Sequence, residues 1–143
     1  MTPIEMINAF SAIANGGMLM RPSVNASRGK ESMREVITKE TAGKITAMMV
    51  SAVDKAKVAK IDGYEVAGKT GMAQVPDLVS GGYTNRVVNT YVGFAPASDP
   101  RFTVLFKLDE PEGAPLAGLT VVPAFRDLTQ FLLNYYEVPP DRL

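Results

Sequence analysis

The sequence predicts an α+β domain with an antiparallel sheet, and three observations predict it. Apolar residues recur at helical spacing in residues 2–14 and again in 38–53. From Tyr64 the pattern changes to alternation and to short apolar runs separated by Gly and Pro. A last helical stripe begins at Val121, so helices flank the strands instead of alternating with them.

Each element has a local reason. Thr2-Pro3-Ile4-Glu5 supplies a capping hydroxyl, a proline suited to the first helical position and a reciprocal acid, so a helix starts almost at residue 2. Met6, Ile7, Phe10, Ile13 and Ala14 give it a core face, and Asn15-Gly16-Gly17 stops it. Residues 18–36, with Pro22 and Gly29, read as a loop or irregular hairpin. Thr38 caps a second helix, Glu40 suits its positive end, and Ile45, Met48, Met49, Ala52 and Val53 form its buried stripe. Tyr64 to Gly71 reads as a strand, 72–86 as a loop holding Pro76 and Gly81-Gly82, and Val87 to Ala95 as a second strand. The turn Pro96-Ala97-Ser98-Asp99-Pro100 leads to a third strand, Phe102 to Leu108, whose apolar run predicts burial on both faces. Val121, Val122, Phe125, Leu128, Phe131, Leu132 and Tyr135 mark the closing helix, which Pro139-Pro140 ends.

Composition narrows the chemistry. With 143 residues and 46% apolar content the chain is large enough for one domain with its own core. Fifteen basic and fifteen acidic residues leave no net charge to attract nucleic acid or an anionic membrane surface. Without Cys or His the chain has no thiolate nucleophile, no Ser-His-Asp triad and none of the usual zinc ligands, so no metal or cofactor is expected. Its chemistry must run on Lys, hydroxyls, carboxylates and backbone dipoles. No apolar run is long enough to span a membrane.

Gly63-x4-Gly68-Lys69-Thr70 matches the phosphate-binding P-loop pattern, and Asp109-Glu110 offers an apparent magnesium partner. Its surroundings argue against nucleotide binding. A P-loop needs a strand before its first Gly, a flexible loop between the glycines and a helix after Lys-Thr. Here Lys60 and Asp62 precede Gly63, the intervening residues are strand-like, and Gly71 and Pro76 oppose a following helix.

The same residues read better as the end of a strand bordering a cleft. Val66-Ala67-Gly68-Lys69-Thr70-Gly71-Met72-Ala73-Gln74 resembles the Lys-Thr-Gly segment of class B penicillin-binding proteins. Three further matches follow the family's order: Thr2-Pro3 leading to Ala14-Asn15-Gly16-Gly17, Val92-Gly93-Phe94-Ala95-Pro96 with Asp99-Pro100-Arg101, and Pro123-Ala124-Phe125. The resemblance covers nearly the whole chain. It implies the penicillin-binding protein and β-lactamase-like transpeptidase fold, of which residues 1–143 would be the C-terminal portion.

The resemblance also implies roles. Lys69 would place a fixed charge in a proton-shuttling network, and Thr70 would offer its hydroxyl to the terminal carboxylate of a D-Ala-D-Ala stem peptide or of a β-lactam. Gly71 would let the acyl group approach the strand, and the Met72 backbone N–H would be one oxyanion-hole donor. Met72 departs from the family, which usually has a hydroxyl there, and Leu116-Ala117-Gly118-Leu119-Thr120 replaces a more glycine-rich approach to the last helix. Both departures count against tight binding of ordinary β-lactams.

The family's serine nucleophile, in Ser-x-x-Lys, and the Ser-x-Asn that follows it should lie upstream of Met1. Ser27-Arg28-Gly29-Lys30 and Ser23-Val24-Asn25 match as strings, but in reversed order and beside Pro22 and Gly29, which oppose the helix start a nucleophile needs. About one chance Ser-x-x-Lys is expected in this length from ordinary composition. The chain is therefore expected to be half of a cell-wall D,D-transpeptidase site, inactive alone, held at the outer face of the cytoplasmic membrane by an anchor elsewhere. A membrane glycan polymerase is its expected partner, and self-association is expected through the edge Phe102 to Leu108. The alternative is a non-catalytic module that binds peptide termini or a partner protein.

Overall fold

The computed structural model describes residues 1–113 and 116–142. Its elements run α1 (Pro3–Ala14), β1 (Met18–Met20), β2 (Ser32–Glu35), α2 (Lys39–Ala56), β3 (Ala67–Pro76), β4 (Tyr83–Ala95), β5 (Phe102–Asp109), a 3-10 turn (Ala117–Leu119) and α3 (Val121–Tyr135). The sheet is antiparallel in the order β3-β4-β5, and β1 and β2 form a separate two-stranded hairpin.

Local chemistry sets the helix ends. Thr2 and Glu5 form a complete capping box: Glu5 Oε2 accepts from Thr2 N at 2.7 Å while Glu5 N donates to Thr2 Oγ1. Thr38 Oγ1 accepts from Thr41 N at 3.2 Å at the start of α2. α3 ends at Tyr135, ahead of the two prolines.

The sheet has a cluster on each face. Tyr91, Ala95 and Val104 pack with Val121, Phe125 and Leu133 beneath α3. On the opposite face Ala67 and Phe94 pack with Met49 of α2 and with Phe10 and Ile13 of α1.

Several expectations are corrected. The region 72–86 is not a loop: β3 continues to Pro76 and β4 begins at Tyr83, so the two strands form one long hairpin closed by the turn 77–82. There Asp77 Oδ1 accepts from Val79 N and Ser80 N, which lets the turn close tightly. β3 starts at Ala67, not Tyr64, because Tyr64 belongs to a bridge with Ile61. In α2 Met49 and Val53 are buried as expected, but Met48 is 63% exposed and Ala52 is also exposed. β5 is not buried on both faces: only Val104 is fully buried, since α3 covers one face and α1 only partly covers the other. α1 is a covering helix with a half-buried stripe, and only its Ala12 is fully buried. In α3 the buried line is Val121, Val122, Phe125, Thr129 and Leu133, while Leu128, Phe131 and Tyr135 face outward.

Candidate active site

β3 carries Gly68, Lys69, Thr70, Gly71 and Met72 along one margin of the sheet, hydrogen-bonded among the described residues only to β4. Side chains alternate across a strand, so Gly68, Thr70 and Met72 share one face and Lys69 and Gly71 the other. The neighbours on β4 mark the two faces. A Cβ at Gly68 would fall 2.1 Å from Tyr91 Oη, and a Cβ at Gly71 would fall 2.4 Å from Thr90 Oγ1. Gly68 is therefore required by close packing against the buried Tyr91 ring, a reason the sequence did not disclose, whereas at Gly71 the Thr90 hydroxyl could rotate aside.

Lys69 and Thr70 are exposed, and Met72 is 58% exposed. Lys69 Nζ donates to Thr70 O at 2.8 Å and to Thr70 Oγ1 at 3.4 Å, so ammonium and hydroxyl converge on one spot at the margin. In an edge strand every second backbone N–H and C=O points away from its only neighbour, and these free groups can receive an extended peptide. The four residues singled out in the sequence thus lie consecutively on an accessible strand margin. No helix follows Lys69-Thr70, since the strand runs on to Pro76, and this geometry is incompatible with a P-loop.

Sequence reading missed the residues that support this margin. Tyr91, 4% exposed, packs on Phe125 in a tilted arrangement with ring centroids 4.6 Å apart, and burial pushes its phenol well above the usual range. Asn89, fully buried and paired in register with Met72, donates from Nδ2 to Thr120 Oγ1 at 3.3 Å, tying β4 to the start of α3. The visible sign was an amide within Val87-Val88-Asn89-Thr90, because a polar residue inside an apolar strand needs a partner. Gly68, Lys69 and Thr70 border an open cavity of about 220 Å³ also lined by Ala52 and Ala56 of α2 and by Gly118. Ser23, Asn25, Ser27 and Lys30 lie in the exposed segment between β1 and β2, outside any helix, and Ser23 is occupied with the backbone of Asn25. Among the described residues no group of three or more His, Cys, Asp or Glu is arranged to hold a metal ion, and no helix is long and apolar enough to cross a membrane.

Residues 1–130 match the penicillin binding protein transpeptidase domain. The chain belongs to the penicillin-binding protein transpeptidase family. Over 97% of its length it is 33% identical to a probable peptidoglycan D,D-transpeptidase, PbpC, of Pseudomonas aeruginosa, covering 25% of that protein. Over 84% of its length it is 35% identical to stage V sporulation protein D of Bacillus subtilis, covering 21% of it. The transpeptidase domain of penicillin-binding protein 3 from Burkholderia pseudomallei superposes with a TM-score of 0.82 at 29% identity, over 97% of this chain and 44% of that one. Penicillin-binding protein 3 of Mycobacterium tuberculosis, solved with ampicillin, gives 0.81 at 27% identity, over 98% of this chain and 36% of that one. The chain thus spans between about a fifth and about a third of the length of the curated relatives it matches.

Proposed function

We propose that this chain forms the substrate-clamping half of a peptidoglycan D,D-transpeptidase site, and that the serine nucleophile comes from another part of the same transpeptidase domain. The observation that carries this reading is the convergence of Lys69 Nζ and Thr70 Oγ1 at the free margin of β3. A stem peptide ending in D-Ala-D-Ala would lie along that margin as an added strand. Its terminal carboxylate would accept from Thr70 Oγ1, with the Lys69 ammonium beside it.

The serine Oγ would attack the carbonyl of the penultimate D-Ala. The serine O–H bond breaks, an ester C–O bond forms, the peptide C–N bond breaks, and terminal D-Ala leaves as an amine carrying the proton. The Met72 N–H would stabilise the oxyanion, a contribution of roughly 3 kcal/mol for one such donor. An amine of a second stem peptide would then attack the ester, release the serine and form the cross-link. β-Lactams would bind by the same carboxylate and stop at the acyl-enzyme. The relative solved with ampicillin supports that part of the reading. We place the site at the outer face of the cytoplasmic membrane, beside a glycan polymerase that supplies its strands. The solved peptidoglycan glycosyltransferase of Burkholderia ambifaria that superposes with this chain supports that partner class.

The test is intact-mass measurement after incubation with benzylpenicillin. A protein that joins this chain to its serine-bearing segment should gain one covalent adduct, and the 143-residue chain alone should gain none. An adduct on the chain alone, or none on the joined protein, overturns the reading. Met72 standing exposed where the family usually has a hydroxyl favours a second reading, a module that holds peptide termini without turnover. D-Ala-D-Ala peptide binding by the joined protein with no acyl transfer would establish that one.

A further inference from the structure

Residues 136–142 follow α3, and their polar contacts with other elements land on residues 63–65 just before β3, on Ser98 just after β4 and on Asp54 of α2. Val138 is buried against Tyr64 and Val66, and Tyr64 Oη donates to Val138 O at 2.6 Å. The backbone N–H groups of Asp141 and Arg142 both donate to Gly63 O at 3.1 Å. The Asp141 carboxylate accepts from Glu65 N at 2.7 Å and from Ser98 Oγ at 2.5 Å, bridging the residues just before β3 and just after β4. Arg142 grips Asp54 of α2 with two hydrogen bonds, 2.7 and 2.8 Å, and reaches Glu65 Oε1 at 3.4 Å.

β3 needs such an anchor. Among the described residues it has one strand neighbour, and of the four pairs from Gly68 to Gly71 two, Gly68–Gly93 and Gly71–Thr90, have no side chain on β3. Glycine-rich ladders specify register weakly because register is normally held by side-chain pairs. Fixing Glu65 fixes the strand about 13 Å upstream of Lys69, at about 3.3 Å per residue. The Arg142–Asp54 pair has the two-pronged geometry that makes an ion pair directional, and its side chains are only 29% and 37% exposed. The strap also lies beyond residues 1–130, so the family match assigns it nothing.

We propose that the C-terminal strap positions the Lys69-Thr70-Gly71-Met72 margin for acyl transfer, with Arg142 as the positioning residue through which it acts. This role rests on the proposed function of that margin. Arg142 touches no reacting atom. It holds Asp54 and Glu65, and through them the height of β3 against β4.

The experiment compares Arg142→Ala, Arg142→Lys and Val104→Ala in the protein that carries this chain with its serine-bearing segment, each well below its melting temperature. Val104→Ala is the control that lowers stability from β5 without removing any contact of Arg142. Arg142→Ala should lower the acylation rate constant for a chromogenic β-lactam about tenfold, since misplacing a reacting group by an ångström costs up to about a hundredfold. Arg142→Lys, with a charge but no planar fork, should recover part of the loss, and Val104→Ala should stay within about twofold. By amide hydrogen exchange, Arg142→Ala should speed exchange in Val66–Thr70 about tenfold and leave Val104–Leu108 unchanged. An Arg142→Ala rate within twofold of the parent, or exchange that rises evenly through the sheet, overturns the positioning role. If the parent itself is not acylated, the proposed function fails instead.

Discussion

Replacing Gly93 by Ala should damage this fold more than its one added methyl suggests. A Cβ at Gly93 would stand 2.5 Å from the Ala67 carbonyl oxygen and 2.7 Å from Phe125 Cζ. The first is backbone of β3 and the second is a fully buried ring, so neither can swing aside as an exposed side chain would. Bringing the Ala67 contact to even a tight 3.0 Å requires β3 to move off β4 by about 0.5 Å, beside the Gly68–Gly93 pair. Overpacking of this kind costs about 1–3 kcal/mol, and with backbone and ring both obstructed the upper end applies. At about 4 °C per kcal/mol for a domain of this size, the melting temperature should fall by about 12 °C. Gly43→Ala is the opposite case, because Gly43 lies within α2 and a Cβ there meets nothing within 4 Å. Removing the helix penalty of glycine should raise stability by about 0.5–1 kcal/mol. Urea unfolding followed by circular dichroism measures both. A Gly93→Ala protein within 0.5 kcal/mol of the parent would refute the claim that β3 and β4 touch too closely at this pair for a side chain.

Lys69→Ala and Thr70→Ala should leave stability within about 0.5 kcal/mol, because both side chains are exposed. Each should weaken D-Ala-D-Ala peptide binding to the joined protein about 10- to 100-fold by calorimetry, and unchanged affinity would remove that residue from the carboxylate site. Acid should loosen the strap: the Arg142 hydrogen bonds hold the Asp54 carboxyl below its ordinary value. A carboxyl lowered in the folded state contributes stability above its unfolded value, about 3.9, and that contribution disappears as pH falls through the folded value. Asp54→Asn should therefore flatten the stability–pH curve below about pH 4, and an unchanged acid slope by urea titration would count against the pairing. The edge strand β5, with Leu108 40% exposed, should drive concentration-dependent dimerisation of the chain, and Leu108→Lys should lower it. A clean monomer by light scattering across a wide concentration range would show that this edge does not pair.

Much of this molecule was legible in residue order. The capping box at Thr2 and Glu5, the Thr38 cap, the end of α3 before Pro139-Pro140 and the strand quartet Lys69 to Met72 each depend on neighbours within a few residues, where hydrogen-bond geometry and side-chain period are set locally. The sequence by itself also determined the family, because its matching segments keep their order along the chain.

Tertiary structure decided the rest. Whether residues 72–76 and 83–86 extend the hairpin depended on pairing across the sheet, to which Gly and Pro content is a poor guide. Met48, Phe131 and Tyr135 have the spacing of core residues, yet they face outward because a helix buries only the side that another element covers. The need for Gly68 arises from Tyr91 on the facing strand, and the strap joins Arg142 to Asp54 and Val138 to Tyr64 across 88 and 74 residues of sequence. Such partners are chosen by how whole elements pack in space, and a reading confined to local spacing has no access to that choice.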